Sequence, residues 1–186
     1  MQQKINNFLS KNQVWIALVI VGVLGRLVPH IPNVTPLISL SLFAGASLSS
    51  RVVFLSLFGT LFVSDLGLAL LLGYPVFGYW TLFTYTGFMA VVLVGSRMQC
   101  LWKTLPVYIL SSSFGFWGWT NFGVWLASDL YTKTLVGLGT CYVAALPFLC
   151  NSLLGDLIWG LAIFGAFNLY PALINISLVL KHNCNR

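Results

Sequence analysis

Apolar residues run almost unbroken through Val14–Val28, Leu37–Ser50, Val52–Tyr74, Val76–Ser96, Thr104–Ala127 and Ser152–Val179, with a shorter stretch around Leu135–Cys150. Runs of this length predict membrane-spanning helices. Leu135–Cys150 contains Gly137, Gly139 and Pro147 and abuts Ser152, which predicts an outer surface or re-entrant segment leading into the last span. The second run has 14 residues, about 21 Å at a helical rise against a hydrocarbon core of about 30 Å, and is ambiguous by length alone.

Charge resolves that ambiguity. With the N-terminus inside and six crossings, Lys4, Lys11, Arg51, Arg97, Lys103, Lys181 and Arg186 are cytoplasmic, and Arg26 and Lys133 lie at the outer face. If Leu37–Ser50 did not cross, only Lys4, Lys11 and Lys133 would remain inside. The expected fold is therefore all-α: a polytopic membrane bundle of six transmembrane helices with both termini inside, one domain over residues 1–186, in the bacterial cytoplasmic membrane. The N-terminal apolar run reads as an uncleaved first span, since no small-x-small site follows it.

Composition agrees with this picture. Of 186 residues 59% are hydrophobic and 6% charged, too little polar surface to cover a soluble domain. The net charge of +6 comes from singly dispersed basic residues, which fits topology and not nucleic-acid binding. Cys100, Cys141, Cys150 and Cys184 form no Cys-x-x-Cys pair, so they read as small core residues, and no metal or cofactor is implied. Small residues at Ser41, Gly45 and Ser49 recur every four positions and suit close helix packing.

The three acids are the exceptional positions, because charge inside a bilayer costs about 2.5–3.5 kcal/mol at a helix centre. Counted at about 1.5 Å per residue, Asp65 lies roughly 20 Å into the third span, Asn121 lies in the outer part of the fifth, and Asp156 is near the outer start of the last. Asp129 and Asn151 are external. Arg26 and His30 bracket the outer end of the first span, where Pro29, Pro32 and Pro36 should stiffen a loop that presents His30 and Asn33. On the fifth span Ser113, Trp117, Asn121 and Trp125 share a stripe, an amide flanked by indoles. Such a set predicts an outward-facing pocket for a planar polar molecule. Arg26, His30 and Asn33 form its rim, Asp65 and Asn121 its floor and Trp117 and Trp125 its walls, with Asp156 closing it. Each member also has a structural reading: Asp65 pairing with Arg26, Asp156 favouring a helix start, and Trp125 in an interfacial belt.

No phosphate loop, Gly-x-Ser-x-Gly elbow or His-Glu-x-x-His is present, and the chain has no glutamate. Self-powered ATP hydrolysis is excluded, and an enzyme is not expected. The segments Arg26-Leu-Val-Pro-His-Ile-Pro-Asn-Val-Thr-Pro36, Leu42-Phe-Ala-Gly-Ala46, Thr120-Asn-Phe-Gly-Val-Trp-Leu126, Tyr131-Thr-Lys-Thr-Leu-Val-Gly-Leu138, Cys141-Tyr-Val-Ala-Ala-Leu-Pro-Phe148 and Asn151-Ser-Leu-Leu-Gly-Asp156 resemble those of an uncharacterised family of six-span bacterial membrane proteins. That family is similar, more distantly, to the substrate-binding S components of energy-coupling-factor vitamin transporters. The resemblance implies an outward pocket, toppling in the membrane, and an energising partner module with a scaffold protein and two ATPases. The S-component Ala-x-x-x-Ala coupling pattern is incomplete here, because Ala17-Leu-Val-Ile-Val21 lacks its second alanine.

The expected function is uptake of a small polar micronutrient, such as a vitamin or heterocycle, from outside. Its rivals are an accessory protein that assembles a larger membrane complex through the Ser41, Gly45, Ser49 stripe, and an intramembrane hydrolase built on an Asp65 and Asp156 dyad.

Overall fold

The computed structural model describes residues 16–28, 32–47, 50–98 and 101–169. His30, Pro29, Ser49, Cys100, Cys184, Lys4, Lys11, Lys181, Arg186 and the last part of the Ser152–Val179 run lie outside these. Among the described residues the chain is all-α, with no strand. In chain order the helices are α1 (Ile16–Leu27), α2 (Leu37–Ser47), α3 (Ser50–Leu72), α4 (Tyr79–Gly95), α5 (Leu101–Ala127), α6 (Leu135–Ala144) and α7 (Leu146–Leu169).

Local chemistry sets several boundaries. α3 stops at Gly73, whose φ of +73° places it in the left-handed region, where glycine carries no Cβ penalty. Its N–H returns to the Ala69 carbonyl at 3.0 Å, closing the end of the helix. α4 begins three residues later than the apolar run Val76–Ser96 suggests, because Gly78 is extended and its N–H donates to Thr81 Oγ1 at 3.0 Å. Thr134 caps α6, its hydroxyl accepting from Gly137 N at 3.1 Å. The Leu135–Cys150 stretch is divided: α6 ends at Ala144, and Leu146–Cys150 belongs to α7. The last helix thus starts six residues before the expected Ser152, with Pro147 in its first turn, where a missing N–H costs no helical bond.

α2 is the central helix, in contact with α3, α4, α5 and α7. Every residue from Leu37 to Phe43 is buried, as expected of a helix that is apolar all round. Its 11 residues span about 16 Å. The tightest crossing is with α4. A Cβ at Gly45 would strike the Val92 carbonyl oxygen, and one at Gly95 would strike that of Leu42. Ser41 and Gly45 of the small-residue stripe are therefore used inside the chain. Phe43 meets Phe164 of α7 edge-on at 5.2 Å between ring centroids, joining α7 to this core.

The outside of the molecule is apolar too. Ile16, Ile20 and Leu24 on α1, Leu55 and Leu70 on α3, and Leu154, Ile158 and Leu161 on α7 are all half or more exposed. Val52–Leu72 and Leu146–Ala166 are long and apolar enough to cross a membrane. α5 has the length, 27 residues, but is less apolar, carrying Ser111, Ser112, Ser113, Thr120 and Asn121. Two such helices together with an apolar exterior of this extent point to membrane association. Cys141 is buried as expected of a core cysteine, whereas Cys150 is exposed on α7.

Candidate functional site

A cavity of about 220 Å³ lies between the segment before α2 and the helices α4, α5 and α7. Asn33 and Thr35 reach it from the first of these, Ile38 from α2 itself, Phe88 from α4, and Phe148, Ser152 and Asp156 from α7. α5 supplies Ser113, Phe116, Trp117, Thr120 and Asn121. Ser113, Ile38 and Asp156 are buried and form its closed end, while Asn33 and Phe148 are exposed and mark its mouth.

Helical periodicity explains these lining residues. On α5 the positions 113, 116, 117, 120 and 121 follow the i, i+3, i+4, i+7, i+8 rule for one helix face, and on α7 Phe148, Ser152 and Asp156 follow i, i+4, i+8. α7 also holds the opposite wall in place. Asn151 Nδ2 donates to the Pro32 carbonyl at 3.2 Å, and a Cβ at Gly155 would press on Val34. Asn33 sits in that wall with φ of +67°, a left-handed conformation that asparagine accepts more readily than most residues.

At the closed end Asp156 is 2% exposed. Its Oδ2 accepts from Ser113 Oγ at 2.7 Å, and its backbone carbonyl accepts from Ser39 Oγ at 2.8 Å. α2, α5 and α7 thus meet on one residue. Above it, Asn121 turns its amide nitrogen back to the Trp117 carbonyl at 2.8 Å. The Trp117 indole N–H donates to the Ala145 carbonyl at 3.0 Å, at the break between α6 and α7, and its ring lies 5.1 Å from that of Tyr142. Tyr142 in turn donates to the Gly118 carbonyl at 2.9 Å. These contacts hold α6 against α5 and fix the indole that walls the cavity.

The eight expected site residues do not form one site. Asn33, Trp117, Asn121 and Asp156 share the cavity. Arg26 and Asp65 do not line it: Arg26 Nη1 donates to Asp65 Oδ1 at 2.6 Å and to Ser64 Oγ at 2.7 Å, and Tyr85 of α4 donates to Asp65 Oδ2 at 3.0 Å. The expected rim-and-floor roles of Arg26 and Asp65 are corrected accordingly, because each side chain is occupied by the other. Trp125 stands one turn beyond the cavity and its indole N–H donates to the Thr132 carbonyl at 2.9 Å. Lys133 caps the end of α5, donating to the Trp125 carbonyl at 2.5 Å and to that of Ser128. His30 lies outside the described residues.

Six aromatic or hydroxyl positions in the cavity, Thr35, Phe88, Phe116, Thr120, Phe148 and Ser152, were not singled out by the sequence, although the face periodicity of α5 and α7 marks four of them. Tyr85 had no such signal. Asp65 and Asp156 have no hydrogen-bonding partner in common, and only Asp156 lines the cavity. Among the described residues no three His, Cys, Asp or Glu side chains are grouped to hold a metal ion.

The fold and cavity define a helical, membrane-associated protein with a polar chamber walled by aromatic rings. The chain belongs to a family of unknown function, DUF6580, which matches residues 6–176. No curated protein and no solved structure matches it.

Proposed function

We propose that this chain is a multi-pass transport protein of the bacterial cytoplasmic membrane, taking up a small polar, planar micronutrient through the cavity between α2, α4, α5 and α7. In this reading α1 to α5 and α7 cross the bilayer, and α6 lies at the outer surface with Leu135 and Val136 turned to lipid. α2 is too short to cross alone. Because it is surrounded by protein, the non-helical segment leading into it needs no lipid-facing hydrogen bonds. The positive-inside count directs the cavity mouth outward.

The observation that carries the proposal is a chamber whose buried end holds a carboxylate and whose walls are aromatic, the composition of a small-molecule site. Its volume exceeds the ~150 Å³ of an engineered cavity that accepts benzene, so a one- or two-ring compound fits. The likeness to S components extends the proposal to an energising module with a scaffold and ATPases, with the incomplete Ala17 pattern leaving that contact to be built differently. The assembly reading is less well supported, since Ser41 and Gly45 pack inside the chain.

Purification in mild detergent followed by mass spectrometry of small molecules tests the proposal. A compound should travel with the wild-type protein and be lost from Asn121→Ala, which should remain monodisperse. A wild-type protein that carries no small molecule but retains a stoichiometric protein partner would favour the assembly role instead.

A further inference from the structure

Along α5 and at its inner end the cavity presents acceptors. Asp156 gives Oδ2 to Ser113, and its other carboxylate oxygen has no protein donor among the described residues. Asn121 turns its donor nitrogen back onto Trp117 O, leaving its amide oxygen as the free end. Thr120 directs its hydroxyl proton to the Phe116 carbonyl at 2.9 Å, so that only oxygen lone pairs face away. A ligand group that reaches Asp156, the Asn121 amide oxygen and Thr120 is matched to them by N–H or O–H donors.

Charge narrows the class further. Asp156 is deeply buried, and a desolvated carboxyl group keeps its charge only beside a compensating positive one. None is supplied by the described residues. No Lys, Arg or His among them lines the cavity. Arg26 is paired with Asp65, and Lys133 is held by the carbonyls at the end of α5. The walls contributed by Phe88, Phe116, Trp117 and Phe148 also favour a cation, through the negative faces of their rings. At the closed end formed by Ser113, Ile38 and Asp156 an anion would meet the carboxylate with like charge, and the one hydroxyl proton there is already given to Asp156.

We propose that the cavity selects small organic monocations, planar rings bearing an amidinium or protonated amino group, whose N–H donors engage Asp156 while the ring lies among the aromatic walls. This rests on the small-molecule reading above and names the ligand class for the same cavity. The mouth at Asn33 admits the ligand, and the positive group travels inward to the closed end.

Benzamidinium, benzamide and benzoate carry a positive, neutral and negative group on the same ring, and their binding to the full-length protein in detergent is compared by calorimetry and thermal unfolding. Benzamidinium should bind at least about tenfold more tightly than benzamide, the difference expected of a charge-assisted hydrogen bond, and benzoate should not bind. Asp156→Asn should abolish that preference. Ser113→Ala, which removes a hydroxyl that orients the carboxylate, should weaken benzamidinium while keeping the order of the three. If Asp156→Asn does not fold, the order of the probes on the wild-type protein still decides the matter.

Benzamide or benzoate binding as tightly as benzamidinium overturns the assignment, as does benzamidinium binding that survives Asp156→Asn, or binding of none of the three. Neutral or anionic binding that is lost in Trp117→Ala removes the cation class and leaves the small-molecule reading standing. Selective benzamidinium binding without accumulation in cells that express the protein removes the transport reading and leaves the ligand class standing.

Discussion

Asp65 and Asp156 look alike along the chain, each a lone acid in an apolar helix, yet their surroundings differ. Asp65 is met on every side: Arg26 and Tyr85 take both carboxylate oxygens, and Ser64 shares the guanidinium. Asp156 is more deeply buried, but its described protein donor is a single serine hydroxyl. A charge that is fully paired inside a protein acts as a fastener between helices, here tying α1 to α3 and α4. A buried charge without a counter-ion raises the energy of the empty protein, and this is tolerated where a ligand supplies the missing partner. On the proposed reading the same residue type, at similar expense to insert, serves cohesion in one half of the bundle and recognition in the other.

Removing Asp65 should have the largest effect. Asp65→Ala strands the Arg26 guanidinium and is expected to cost roughly 3 kcal/mol, a fall in Tm of about 6–12 °C for a chain of this size, read by thermal unfolding in detergent. Replacing both partners, Arg26→Met with Asp65→Leu, should recover most of the loss, because neither charge is then left alone. A double variant as unstable as the single one would show that the pair is more than a fastener.

Asp156→Asn should behave in the opposite way. Its Tm is expected to stay level or rise, since a neutral amide is easier to bury. Ligand carried through purification should fall about tenfold or more. A collapse in Tm like that of Asp65→Ala would erase the contrast between the two aspartates.

Trp117→Phe removes one partly buried hydrogen bond to Ala145 and should cost about 1 kcal/mol. It should also weaken ligand binding severalfold, because the wall it forms is held against α6 by that bond. The smallest change is expected from Lys133→Met, about 0.5 kcal/mol from the lost interaction with the carbonyls at the end of α5, with ligand retention equal to wild type. A loss of ligand in this variant would mean that the α5–α6 turn is coupled to the cavity.

Much of the site was legible by periodicity. The stripe Ser113, Trp117, Asn121 lies on the cavity because a helix repeats its face every three to four residues whatever surrounds it. The next member, Trp125, falls one turn too far, where the Thr132 carbonyl takes its N–H. Nothing in the order of residues gives the length of a cavity along a helix axis. Counting residues along each span puts Asp65, Asn121 and Asp156 at a common outer level, but depth is a single coordinate and leaves the angle about the bundle open. Asp65 does not line the cavity that the other two share.

The positions of the helices, their apolar character and the pairing of opposite charges at Arg26 and Asp65 follow from the chain itself, because hydrophobic run length, glycine and proline punctuation and the cost of isolated charge act locally or through simple counting. The division of the polar residues into a fastener and a chamber was settled only by packing. α2 had to pass through the centre, with Gly45 and Gly95 allowing its backbone to touch α4, before α1 and α3 lay on one side and the Asp156 face of α7 on the other. Which faces meet depends on contacts between residues far apart in the sequence, and those contacts exist only once all the helices have found their neighbours.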